Sequence, residues 1–319
     1  MTSSPSSFKV ALIQMWPKPL DAEGNFGFAA EQIRIAAAQG AALAVIPEYH
    51  LTGWVPEDPT FALSPAESTR YVQQYQQLAS SLRINICAGT IVSHAPGGTD
   101  GEPPRLLNTS YFIDHDGQIL GSYCKTNLWI PEREHLTSSI VYANGGDRTA
   151  TATKSSSDAT FQPHQVFDTP LGPVGILVCW DIAFPEAFRQ LVLAGAKLII
   201  IPSFWTLQDM NETGLRHNPD CERLFVESTL VTRAFESTAA LIFTNAGGPA
   251  DQGFFGCSQV TMPIVGKVPG SFTDGSEGTR VLDVDMDLVE IAEQNYRIRQ
   301  DLARDDWHYG YAGAREATR

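Results

Sequence analysis

Three side chains of this chain have the types that acyl-transfer chemistry needs, and each stands where an apolar run ends. Residues 41–47 run into Glu48, residues 119–124 into Lys125, and residues 174–178 into Cys179. Short apolar runs bounded in this way read as buried strands. Groups at the carboxyl ends of strands in open α/β sheets face the crevice where ligands bind. A carboxylate there can move protons, an ammonium can hold developing negative charge, and a thiolate can attack carbon. A free thiol titrates near about 8.5, so Cys179 needs a neighbour to take its proton. Glu48 is the strand-end carboxylate placed for that task. Burial would raise its pKa and make it a better base, while a nearby Lys125 would pull it back. Lys125 and the backbone N–H of Trp180 are the natural donors to a tetrahedral oxyanion. Removing one such donor costs about 2.7–4 kcal/mol of barrier in other enzymes. The three groups together read as a cysteine hydrolase.

The elements that must carry these groups alternate between short apolar strands and amphipathic helices. The expected strands are 10–15, the run ending at Glu48, 84–92, 108–113, 118–123, 173–179, 198–202, 239–244, 259–264 and 279–284. Phe26, Ala29, Ala30, Ile33, Ala36 and Ala37 recur at helical spacing and are closed by Gly40. Ser64-Pro65-Ala66-Glu67 carries a capping box with proline at the first helical position, opening a helix to about Leu82. Further helices are predicted over 185–194 and 222–236. His115-Asp116-Gly117 between two apolar runs is a hairpin signal, which makes the sheet mixed. About eleven strands exceed one comfortable sheet. The economical α/β arrangement is therefore two mixed sheets packed face to face with helices on the outer faces.

Two polar insertions interrupt this pattern. Residues 149–165 read as a mobile surface loop, and 207–221 directly follow a strand end and could roof a pocket. Residues 1–7 read as a disordered tail, 8–286 as one hydrolase domain, and 287–319 as an extension. Tyr296, Trp307, Tyr309 and Tyr311 in that extension suggest docking on the body or on a second subunit.

The charge balance excludes some partners. With 36 acidic and 22 basic residues the net charge is −14, and no Lys/Arg-rich run offsets it. Neither nucleic acid nor an anionic membrane is an expected partner. No apolar run approaches the roughly 18 residues that span a bilayer. Five cysteines, none in a Cys-x-x-Cys pair, and the lack of an amino-terminal signal pattern fit a reducing, cytoplasmic setting. Cys87 and Cys257 read as small core residues, and Cys124 should face away from Lys125. Cys221 falls in a loop. The seven histidines show no ligand spacing, so no metal is expected. There is also no Gly-x-Ser-x-Gly elbow and no phosphate loop.

The stretches around the three groups resemble the nitrilase superfamily of carbon–nitrogen hydrolases. These are Val45-Ile46-Pro47-Glu48-Tyr49-His50-Leu51-Thr52-Gly53-Trp54, Tyr123-Cys124-Lys125-Thr126-Asn127-Leu128-Trp129, and Cys179-Trp180-Asp181-Ile182-Ala183-Phe184-Pro185-Glu186, in the family's order. Lesser matches lie at Phe167-Asp168-Thr169-Pro170-Leu171-Gly172, Arg233-Ala234-Phe235-Glu236 and Thr244-Asn245-Ala246-Gly247-Gly248. The resemblance implies an α-β-β-α sandwich that forms homodimers or larger assemblies, a Glu-Lys-Cys triad, and no cofactor or metal. It also implies a second glutamate after the lysine, matched by Glu132, with Glu134 as the competitor. The loops after Trp54, Phe204-Trp205 and Asn245 resemble pocket walls. Trp54, Trp205 and Asn245, with Trp180 beside the nucleophile, are thus the expected substrate contacts.

The substrate expectation is a small carboxamide, cleaved to carboxylic acid and ammonia through a thioester. Trp180-Asp181 straddles two branches of the family, since nitrilases usually carry Trp-Glu after the cysteine and many amidases Tyr-Asp. A nitrile substrate is therefore the alternative, with carbamoyl-amide hydrolysis and acyl transfer behind it. A silent metabolite-binding homologue is the alternative from outside catalysis.

Overall fold

The computed structural model describes residues 5–94, 106–139 and 164–309. Its first half begins with β1 (Ser7–Gln14), α1 (Ala22–Ala38), β2 (Leu43–Val45), α2 (Pro65–Leu82), β3 (Asn85–Cys87), β4 (Ile91–His94), β5 (Leu106–Ile113) and β6 (Ile119–Cys124). The second half runs β7 (Val166–Thr169), β8 (Gly172–Ile176), α3 (Pro185–Leu193), β9 (Leu198–Ser203), α4 (Glu212–His217), α5 (Cys221–Ser237) and β10 (Ala240–Asn245). It closes with β11 (Gln259–Met262), β12 (Gly266–Lys267), β13 (Gly278–Asp285), α6 (Asp287–Tyr296) and α7 (Ile298–Leu302).

Two mixed sheets form. One has the order β13-β1-β2-β3-β5-β4, with β6 paired to β5, and the other the order β12-β11-β10-β9-β8-β7. β1, β2 and β3 run parallel, as do β8, β9 and β10, while the flanking pairs are antiparallel. The period of two along each strand explains how the sheets stack. Val10, Leu12, Leu43 and Val45 join one core with Ile176, Ile199, Ile201, Leu241 and Phe243 of the other sheet. The intervening Ala11, Ile13, Ala44 and Ile46 instead meet Ala29, Ile33 and Ala36 of α1 and Tyr75, Leu78 and Ala79 of α2. Both faces of the inner strands are buried, which is why their sequences are apolar without alternation. The result is the α-β-β-α sandwich.

Local chemistry sets the ends of these elements. Ser64 and Glu67 exchange bonds at the start of α2, with Ser64 N–H donating to Glu67 Oε2 at 3.0 Å. In the β5–β6 turn, Asp114 Oδ1 accepts from Asp116 and Gln118 N–H, and Gly117 takes φ +83°. The expected strand over 84–92 is two strands. Between them Gly89 turns the chain at φ +57°, where a Cβ would stand 2.1 Å from the Pro47 carbonyl oxygen. β4 then crosses to the far side of β5.

Two other expectations shift, and a third falls on one of its two alternatives. Residue 7 already pairs in β1 rather than in a tail, with Ser7 opposite Asp285. Cys221 opens α5 instead of lying in a loop, and the 207–221 insertion holds a 3-10 turn and α4. α6 and α7 rest on this chain's own body, where the Arg299 guanidinium donates to the carbonyls of Val192, Ala196, Ser237 and Thr238. Of the insertion at 149–165, residues 149–163 lie outside the described residues, as does Tyr311. No described helix is long and apolar enough to cross a membrane.

Candidate active site

Ends of strands from both sheets meet here, with the Glu48 N–H donating to the Ser203 carbonyl. Glu48 follows β2, Lys125 follows β6, Cys179 follows β8, and Phe204 follows β9. Glu48, Lys125 and Glu132 are all buried. Lys125 Nζ donates to Glu48 Oε1 at 3.0 Å and to Glu132 Oε1 at 2.6 Å. Glu48 Oε1 also accepts from Asn108 Nδ2 at 2.7 Å, and its Oε2 accepts from the Phe204 backbone N–H at 3.1 Å. Glu132 sits on a 3-10 turn, Pro131–Glu134, where its Oε1 accepts from the Tyr49 hydroxyl and its Oε2 from Trp129 N–H. Glu134 is exposed. The structure thus brings Glu132, not Glu134, to the lysine.

Cys179 is the first residue of a 3-10 turn, Cys179–Ala183, rather than the last residue of a strand. Its φ is +47°, a left-handed conformation that a residue with a Cβ adopts at a cost of about 1–2 kcal/mol. Strain of this kind persists where the surroundings over-determine it. Asp181, fully buried two residues on, is the device here. Its carboxylate accepts from Val178 N–H, Tyr123 Oη, Asn127 N–H and Asn127 Nδ2, at 2.8 to 3.1 Å. It therefore ties the cysteine turn to the chain on either side of Lys125. The Cys179 thiol lies 3.8 Å from the carbonyl oxygen of Phe204, whose N–H donates to Glu48 Oε2. At the start of such a turn the Trp180 N–H has no partner within the turn.

The charges are mutually tuned. Burial pushes the Glu48 carboxyl up and Lys125 pulls it back, leaving it at about 7. Burial alone would depress the Lys125 ammonium, but Glu132 and Glu48 more than offset this and hold it well above the lysine range. Burial raises the Cys179 thiol well above its usual value, and the Glu48 charge adds to this against Lys125. The resting site thus holds a thiol, an ammonium and a carboxyl poised to accept or give a proton near neutrality.

The four expected substrate contacts divide. Trp54 is half-buried and lies tilted 5.0 Å from the Tyr49 ring, in an apolar wall with Phe61, Leu128, Leu136 and Phe204. Trp180 is half-buried, with its ring 5.6 Å from Trp205. Trp205 and Asn245 have their hydrogen-bonding groups committed to the scaffold. Asn245 Nδ2 donates to the carbonyls of Trp205 and Gly256, and its Oδ1 accepts from Trp205 N–H. The Trp205 indole N–H donates to Glu222 Oε2 at 2.6 Å. Neither retains a donor for a ligand. A cavity of about 440 Å³ is lined by Thr126, Asn127, Leu128, Arg133, Leu136, Thr137, Ser138 and Phe184, and none of Glu48, Lys125, Glu132 or Cys179 lines it. Three groups at the site had no assigned role in the sequence: Tyr49, Asn108 and the Phe204 peptide. Tyr49 was visible only as a neighbour of Glu48.

Comparison with known proteins agrees with this architecture. Residues 9–295 match the family described as carbon–nitrogen hydrolase. A probable nitrilase of Schizosaccharomyces pombe is 26% identical over 293 residues, spanning 90% of this chain and 92% of that protein. The N-carbamoylputrescine amidase of Arabidopsis thaliana is 26% identical, over 89% of each chain. Among solved structures, a variant of the amidase from Nesterenkonia sp. AN1 superimposes with a TM-score of 0.67 at 23% identity. That match covers 94% of this chain and 99% of the other, and it shows the shared fold. This chain belongs to the carbon–nitrogen hydrolase family.

Proposed function

We propose that this protein is a cysteine-dependent amidase that converts a small carboxamide to a carboxylic acid and ammonia. The observation that supports the reading is the buried Lys125–Glu48 pair with the Cys179 thiol on the same Phe204 peptide that donates to Glu48, whose carboxyl lies at about 7. Attack begins when Cys179 Sγ bonds to the amide carbon and its proton passes to Glu48. The carbonyl electron pair moves onto oxygen, which Lys125 Nζ and the Trp180 N–H stabilise. Collapse expels the nitrogen, protonated by Glu48, as ammonia and leaves a thioester. Water then attacks the thioester carbon as Glu48 takes its proton. The acid departs, and the proton returns to the thiolate. Glu132 anchors Lys125 throughout and shares the load of its charge.

Relatives named as amidases support the amide reading, while the Schizosaccharomyces pombe relative named a probable nitrilase keeps the nitrile as the second reading. The amidase from Nesterenkonia sp. AN1, a variant of which binds butyramide, supports the amide too. The Asp181 side chain does not discriminate, because all its contacts are with the scaffold. Ammonia release from a carboxamide panel tests the reading, run beside a nitrile panel and Cys179→Ala. Turnover of an amide that disappears in Cys179→Ala is the expected result, and equal turnover by the variant would discard it.

A further inference from the structure

Glu222 is a buried carboxylate that the proposed reaction does not use. It lies in the first turn of α5, 7% exposed, and its Oε2 accepts the Trp205 indole N–H at 2.6 Å. Burying a carboxylate is costly unless its hydrogen bonds are satisfied. An indole N–H and the positive end of a helix are suitable partners. The question is what is gained by fixing this indole.

Trp205 is held at three points. Besides the indole bond, its N–H donates to Asn245 Oδ1 at 2.8 Å, and its carbonyl accepts from Asn245 Nδ2 at 2.9 Å. The residue so fixed adjoins the peptide that touches both reacting groups. The Phe204 N–H donates to Glu48 Oε2, and the Phe204 carbonyl faces Cys179 Sγ at 3.8 Å. Ser203 extends the same corner, since its carbonyl accepts from the Glu48 N–H. A displacement of Trp205 would therefore move base and nucleophile relative to each other.

We infer that Glu222 is a positioning residue for the reaction, acting through Trp205 to hold the Phe204 peptide between Glu48 and Cys179. The inference rests on the amidase reading proposed above. A misplacement of about 1 Å at reacting groups can cost about a hundredfold in rate. Loss of the Phe204 N–H bond would also raise the Glu48 pKa, because that bond favours the ionised carboxylate. Lys125, Glu132, Cys179 and Tyr49 are the other titratable groups facing Glu48, and no Glu222 substitution alters them.

The experiment measures kcat, KM and the acid limb of kcat/KM for Glu222→Ala, Glu222→Gln and Trp205→Phe. It adds the rate at which iodoacetamide alkylates Cys179 in each. Glu222→Ala should lower kcat about tenfold or more, leave KM within about threefold, and move the acid limb upward. Glu222→Gln should recover most of kcat, because its amide oxygen still accepts the indole N–H. Trp205→Phe should reproduce the Glu222→Ala losses, and it serves alone if Glu222→Ala fails to fold. The inference is overturned if Glu222→Gln is as impaired as Glu222→Ala. It is equally overturned if kcat and acid limb stay at wild-type values in the Ala or Phe variant. Failure of the amidase reading shows separately, as wild-type protein without Cys179-dependent ammonia release. The alkylation rates would then still report whether Glu222 sets the environment of the thiol.

Discussion

Lys125 and Glu132 are joined at 2.6 Å inside a site that also brings Glu48 to 3.0 Å from the same ammonium. One cation thus serves two carboxylates, and all three groups are buried. Breaking a buried pair by removing one partner costs about 3–5 kcal/mol, because the survivor is left charged and unpaired. Lys125→Met should therefore lower the unfolding free energy by about that amount in urea titrations, as well as abolishing turnover. A Lys125→Met protein as stable as wild type would mean that the carboxylates find other partners.

The pH dependence follows from Glu48. With its carboxyl near 7, activity that needs the ionised base should fall as pH drops through about 7. The Glu132 charge contributes to this elevation, so Glu132→Gln should move the acid limb of kcat/KM to lower pH. Stability runs the other way. The folded-state pKa lies above the ordinary 4.5, so the folded protein binds more protons between these values. Its unfolding free energy should then decline as pH rises from about 4.5 to about 7. Glu48→Gln should flatten that slope by on the order of 3 kcal/mol, measured by denaturant unfolding across the same range.

The three chemical groups were legible because each closes an apolar run; Glu48 and Cys179 follow strands with parallel neighbours, whereas Lys125 follows β6, which runs antiparallel to β5. Their partners were not. Asn108 lies on β5 and reaches Glu48 after β2, a contact set by pairing of strands out of chain order, which no local periodicity encodes. Tyr49 reaches Glu132 from a left-handed turn at φ +52°, where alternation no longer tells which way a side chain points. Asn245 and Trp205 show the opposite difficulty, since their hydrogen-bonding groups are taken up by neighbouring peptides and Glu222. A polar or aromatic residue at a strand end looks alike whether it meets a ligand or clamps a neighbouring peptide. Only the hydrogen-bond partners separate the two.

Asp181 offers a sharper case of a motif residue acting indirectly. Its carboxylate takes four donors and touches neither Glu48 nor Lys125 through any of them. Asp181→Asn would turn an amide NH2 toward N–H groups that need an acceptor, at about 1–3 kcal/mol for each one left unsatisfied. The expected outcome is a lower melting temperature with slower alkylation of Cys179 by iodoacetamide, since the turn that holds φ +47° loosens. Unchanged labelling in a destabilised Asp181→Asn would limit its role to stability.

Gly89 supports the Pro47–Glu48 turn from beneath, and its requirement can be tested without touching Glu48, Lys125 or Cys179. At φ +57° a side chain is already strained. The Cβ of an alanine would also stand 2.1 Å from the Pro47 carbonyl oxygen and 2.8 Å from His50 Nδ1. Real Cβ contacts do not come so close, so the Pro47–Glu48 backbone would have to move. The adjacent Thr90 Oγ1, which accepts from the Tyr49 N–H at 3.0 Å, would move with it. Gly89→Ala should thus combine a stability loss of about 2 kcal/mol or more with a fall in kcat, through displacement of Glu48 and Tyr49 together. Both are read from one preparation, by urea unfolding and by ammonia release. A variant that loses stability but keeps full kcat would show that the turn carrying Glu48 is held by its hydrogen bonds to Phe204 and Asn108 rather than by the packing against Gly89.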